Sequence, residues 1–183
     1  MNPGHFAKIF DIVDSGFDWT FAAFGLIFVA VGVIGVFNPS LIPIKGQAFF
    51  DARPKLRKYF WLGILLFAVV STVGALVSSY STYARLRSIV AENRCRVVEG
   101  PVEQFVPRPS SGHGAESFLV QGVPFRYSDY TPNGGFNTTS VNGGPIGANS
   151  YVRICYEEDK NIILRLEIAD VRPPGPPSTA NTR

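Results

Sequence analysis

The chain has 183 residues, 46% of them hydrophobic and 17% charged, and the charged share falls below the roughly 25% of ordinary soluble domains. Its net charge of +3 is unevenly spread: residues 45–96 hold nine Lys/Arg against Asp51 and Glu92, while residues 97–183 hold seven against nine acids. With no basic stripe on the C-terminal part, nucleic acid is not an expected partner.

In chain order, the first segment is "HFAKIFDIVDSGF". Phe6, Ile9, Phe10, Val13 and Phe17 recur near helical spacing, with Lys8, Asp11 and Asp14 between them. The pattern predicts an amphipathic helix lying in a membrane interface over residues 1–18. Next comes an uncharged run, Trp19 to Phe37. At 1.5 Å per residue it approaches the roughly 30 Å of a bilayer core, and its Leu, Ile, Val and Phe residues favour insertion by about 3 to 7 kcal/mol. The acidic segment before it, and the lack of a small-x-small site after it, argue for an uncleaved span rather than a signal peptide.

Pro39 and Pro43 end that helix, and a basic loop follows over residues 38–58 with Lys45, Arg53, Lys55, Arg57 and Lys58. A second uncharged run fills residues 59–80, and Trp19, Tyr59, Trp61, Tyr80 and Tyr83 stand near the span ends, where amphipathic rings favour the interface. The expectation is a two-helix transmembrane hairpin whose lipid-facing surface is apolar. Gly25, Gly32 and Gly35 in the first run, and Ser71, Gly74, Ala75 and Ser78 in the second, permit close helix contact within the chain or in a homo-oligomer. The bias of basic residues toward the cytoplasm holds loop 38–58 inside. Arg85, Arg87, Arg94 and Arg96 oppose this, but four loop charges abut the second span directly. The chain is therefore expected to be a multi-pass protein of a bacterial inner membrane, with its C-terminal domain periplasmic.

Residues 81–93 continue as a helical stalk. After Asn93 the period shortens to that of strands. "RCRVVEGPVEQFV" is broken at Gly100-Pro101, "ESFLVQGVPFRYSDY" turns at Gln121-Gly122, and "YVRICYEEDKNIILRLEI" turns at Glu158-Asp159. The fold class expected for 94–170 is a small antiparallel five-stranded β-barrel, OB-like or SH3-like. Residues 171–183, "VRPPGPPSTANTR", are expected to be disordered. Cys95 and Cys155 are the only cysteines. They suit a disulfide in an exported domain, or two buried thiols. Two cysteines and two distant histidines do not make a zinc site.

The segments "VVEGPVEQFVP", "ESFLVQGVPFRYSDY", "GGFNTTSVNGGPI" and "VRICYEEDKNIILRLEI" together resemble a family of uncharacterised small bacterial membrane proteins. Its members carry hydrophobic spans before a compact β domain. The resemblance covers roughly residues 83–168 and implies that layout, with no established activity.

Chemistry is sparse. Ser110, His113 and Glu116 lie close in sequence, but a triad is a matter of geometry. Ser128 or His113 in a hydrolase is the weakest of three readings. "GGFNTTSVNGGPIG" lacks the lysine and helix of a phosphate loop. The main expectation is a non-enzymatic, membrane-anchored interaction module without cofactor or metal. Tyr127, Asp129, Tyr130, Phe136 and Asn137 would form its recognition surface. The partners expected are the lipid bilayer and an unidentified protein or a second copy. The alternative is an accessory subunit of a larger channel or transporter complex.

Overall fold

The computed structural model describes residues 5–42, 52–109, 113–131 and 133–169. Lys45, Ser110 and the tail 171–183 lie outside these residues. The chain divides into two compact units, Met1–Gly16 with Tyr83–Arg183, and Phe17–Thr82.

The second of these is helical. Asp18 accepts a hydrogen bond from Thr20 N at 2.8 Å, satisfying one of the orphan donors at the start of α2 (Thr20–Phe37). Pro39 opens a single 3-10 turn, Pro39–Leu41, just beyond the end of α2. The next α-helix, α3 (Pro54–Ala91), has 38 residues. Pro54 occupies its first position, where a missing N–H costs nothing. Lys55, Arg57 and Lys58, expected in the loop, therefore belong to the first turns of α3. Among the described residues, α3 is the one helix long and apolar enough to cross a membrane.

The glycines of α2 lie against α3. A methyl placed on Gly32 would sit 2.9 Å from the Leu65 Cα; on Gly25 it would meet Thr72 at 2.5 Å, and on Gly35 the Trp61 ring at 2.0 Å. The descending partner numbers make the packing antiparallel. On the outer surface Phe24, Phe28, Phe67, Val70 and Val77 are exposed, Phe67 by 74%.

Among the described residues, the other unit contains a one-turn helix, seven strands and the last turns of α3. Asn93, at φ +51°, ends α3, and Arg94 N donates back to Ile89 O at 2.9 Å. A four-stranded antiparallel sheet runs in the order β1 (Phe6–Asp11), β7 (Ile162–Ala169), β6 (Tyr151–Glu157), β2 (Arg96–Pro101). A three-stranded antiparallel sheet runs β3 (Glu103–Val106), β4 (Glu116–Val120), β5 (Val123–Tyr127). Between the sheets lies a core of Val98, Phe118, Val120, Phe125, Val152, Ile154 and Leu166 with neighbouring apolar residues. On the opposite face of the larger sheet, Leu86 and Val90 of α3 pack with Ile12, Cys155, Ile162 and Leu164.

The expected two-helix hairpin with a closed five-stranded barrel is overturned: among the described residues there are one long helix, a shorter apolar one, a single-turn helix, and two sheets that do not close. Two features account for the sheets. At Val102 the chain turns a corner, so β2 and β3 belong to different sheets, and Val102 N donates to Ser150 O at 2.9 Å. On the far side, a loop lies against β7 where a barrel would need β5. Phe136 N donates to Ile163 O at 2.9 Å, and Gly135 approaches so closely that a Cβ would meet that same oxygen at 2.4 Å.

The N-terminal segment is also corrected. Instead of an interfacial helix, residues 6–11 form a strand paired with β7, followed by the one-turn helix α1 (Ile12–Ser15). The pairing register shifts between Lys8 and Phe10. A bulge inserts one residue, so apolar positions fall three and four apart and imitate a helix.

Cys95 and Cys155 are joined, with Cα atoms 5.6 Å apart. The bond ties the chain just after α3 to β6. Its 60-residue separation gives an entropic contribution of about 4 kcal/mol. Cys95→Ser is expected to lower the unfolding free energy by most of that, measured by denaturant titration of the purified chain. Reductant should weaken the native chain and leave the variant unchanged. Gly32→Val should lower the thermal midpoint in detergent, because the contact is backbone and cannot rotate away. Gly74→Ala, with nothing within 4 Å of the new Cβ, should be neutral or stabilising.

Candidate functional site

The most organised polar cluster of the β unit sits where β4 and β5 meet the loop after β5. Glu116 opens β4 on its inward face, with Phe118 and Val120, and is fully buried. Its cross-strand partner is Tyr127. The Tyr127 hydroxyl donates a short hydrogen bond to Glu116 Oε1. Glu116 Oε2 accepts from Ser140 N at 2.9 Å and from Ser140 Oγ at 2.5 Å. One residue earlier, Thr139 donates its N–H at 2.9 Å and its hydroxyl at 2.5 Å to Asp129. Two consecutive loop residues are thus each held, through backbone and side chain, by a separate carboxylate. The arrangement discharges the donors of a buried Thr139 and leaves neither acid unsatisfied.

Burial, reinforced by the Glu116 carboxylate, pushes the Tyr127 phenol well above its ordinary range. Burial acts to raise Asp129 as well. There the two Thr139 hydrogen bonds and the nearby Arg108 guanidinium outweigh it and hold the carboxyl below 3.8. The Arg108 Nε lies 3.7 Å from Asp129 Oδ2, and its side chain is buried.

Above this base lies an aromatic rim. Tyr130 is 53% exposed. The Arg108 guanidinium carbon is 5.1 Å from its ring centroid, and His113 meets it edge-on at 4.1 Å. Ser128 Oγ donates to Gly114 O at 3.0 Å and accepts from Tyr130 N at 3.3 Å. The serine proton is thus directed at a carbonyl and the imidazole at a phenol ring, which is not the geometry of a nucleophile and its base. Among the described residues, no group of three or more His, Cys, Asp or Glu could hold a metal ion.

Of the five residues expected to form a recognition surface, Tyr127 and Phe136 are core residues. Their ring centroids lie 5.4 Å apart, and Phe136 also packs on Phe10 at 5.6 Å. Asp129 is engaged by Thr139, Asn137 is half-buried and Tyr130 is exposed. The polar partners Thr139, Ser140 and Arg108 escape the sequence reading, and Glu116 enters it only as a member of a triad with Ser110 and His113. The one available signal is Glu116 itself, an acid on the inward side of "ESFLV".

Comparison with protein-family models, with curated proteins and with solved structures found no match.

Two substitutions test the double carboxylate clamp. Glu116→Gln turns an amide N–H₂ toward groups that all donate, and should cost about 1.5–3 kcal/mol of stability. Hydrogen exchange at Ser140 should rise with it. Asp129 titrates below its ordinary value, so its stabilisation is complete above pH 3.8 and is lost as pH falls through the folded value. Asp129→Asn should weaken the loop at neutral pH and flatten the part of the acid limb that this group supplies.

Proposed function

We propose that the protein is a membrane-anchored, non-enzymatic interaction module. Its helical unit would sit in lipid and its β unit would present the Tyr130 rim to a partner. The observation that carries this reading is the surface of the helical unit. In the most apolar stretch of α3 only 11% of residues are buried, so large side chains such as Phe67 and Val70 need a covering that the described residues do not supply. A core helix of a soluble protein would be mostly buried, whereas a lipid-facing helix is apolar all round.

It would be a multi-pass protein of a bacterial inner membrane, with the β unit outside the cytoplasm. The Cys95–Cys155 bond favours that side, because disulfides persist in oxidising compartments.

A second reading is an accessory subunit of a larger membrane complex. A groove of about 470 Å³ on the helical unit supports it. Phe24, Gly25, Phe28, Phe67, Ala68 and Ala75 contribute to its walls, and small residues let a neighbouring helix approach closely.

Fractionation tests the anchor. The full chain should sediment with membranes, resist alkaline carbonate and need detergent for release; recovery in the supernatant would end the proposal. A photo-crosslinking residue at Tyr130, compared with one at Ala75, separates the two readings. A partner caught at Tyr130 favours the displayed module, and one caught at Ala75 favours the accessory subunit.

A further inference from the structure

The β unit is assembled from two parts of the chain. β1 precedes residues Phe17–Thr82, and β2 to β7 follow them. The N-terminal part is tightly held. β1 pairs with β7 from Phe6 opposite Ala169 to Asp11 opposite Arg165. Ile12 is buried among Leu86, Cys155 and Leu164. The Arg165 guanidinium meets the buried Asp11 carboxylate at 2.7 Å. At the other end of the strand, the Arg153 guanidinium carbon lies 4.0 Å from the Phe6 ring centroid.

A strand cannot pair across a bilayer, because its hydrogen bonds and packed side chains require direct contact. Resting on the membrane reading above, we infer that β1 and residues 94–169 occupy the same face of the membrane. The chain then enters and leaves lipid on that face, and completes an even number of crossings between Gly16 and Tyr83. α3, the one described helix long and apolar enough to cross, makes one of them. A single crossing by α3 alone would part β1 from β7.

Charge agrees with carrying the N-terminal segment across. Its one basic residue among positions 1–16, Lys8, is bonded to Asp14 at 2.6 Å, and Asp11 adds a second acid. Few positive charges among these residues oppose their transfer. The β unit is therefore completed by a strap made first and exported separately from the rest of it.

The test uses the full chain with one epitope before Met1 and another after Arg183. Protease is added to intact spheroplasts and to inverted vesicles. Both epitopes should disappear from the same preparation, with at least ten-fold protection in the other. A second measurement uses Lys8→Cys with Glu167→Cys, which are opposed in the strand pair. After cleavage at a protease site inserted between residues 43 and 51, the N-terminal fragment should stay attached until reductant is added. Epitopes lost from opposite preparations would overturn the inference and leave the membrane reading standing. Release of the N-terminal fragment without reductant would also overturn it. Recovery of the chain in the supernatant would instead remove the membrane reading and the inference with it.

Discussion

The pairing of β1 with β7 is the constraint on which the β unit depends. Without it the larger sheet has three strands, the Arg165 guanidinium loses the Asp11 carboxylate, and the layer formed by Ile12, Leu86 and Val90 loses a member. The same pairing fixes the architecture of the chain. A helical unit is inserted into a sheet unit, instead of a domain being appended after an anchor. The edge that β1 leaves open carries the charge of Lys8 and a bulge beside it, both of which discourage a further strand from adding there.

The other organising element is the loop between β5 and β6. Closing the two sheets into a barrel would need the β5 edge to pair with the larger sheet. Here Phe136 and Ile146 of the loop enter the core instead, and the loop's backbone gains its partners elsewhere. Glu116 and Asp129 supply them, each taking one N–H and one hydroxyl. Burying carboxylates is expensive unless every lone pair is used, and here the cost is offset by fixing a segment that has little regular structure of its own. The exposed Tyr130 ring is consequently seated on the buried Arg108 of the same cluster.

How much of this was legible in the residues depends on which physical rule each segment obeys. The uncharged runs are plain in the sequence because a helix without a polar face has few alternatives. The β6–β7 hairpin is equally plain, since alternation and the turn at Glu158-Asp159 agree. β1 is concealed because its bulge changes the period and its partner lies at the opposite end of the chain. Nothing local distinguishes a corner at Val102 from a bend within one strand, so the split into two sheets is concealed as well. In "YSDY" the aromatic and polar residues suggest a binding face, yet Tyr127 points inward to a buried acid. Pairwise partners such as Glu116 and Ser140, 24 positions apart, leave no mark in composition or spacing.

The order of synthesis gives the N-terminal strand an unusual history. Asp11 leaves the ribosome before Arg165 and meets it only after 154 further positions have been made. At 5–20 residues per second that is a wait of about 8–30 s. Throughout it β1 has no sheet to join, and its Phe6 and Phe10 side chains have no core. Closure over so long a separation is intrinsically slow. During synthesis β1 is therefore the strand of the larger sheet left longest without its partner.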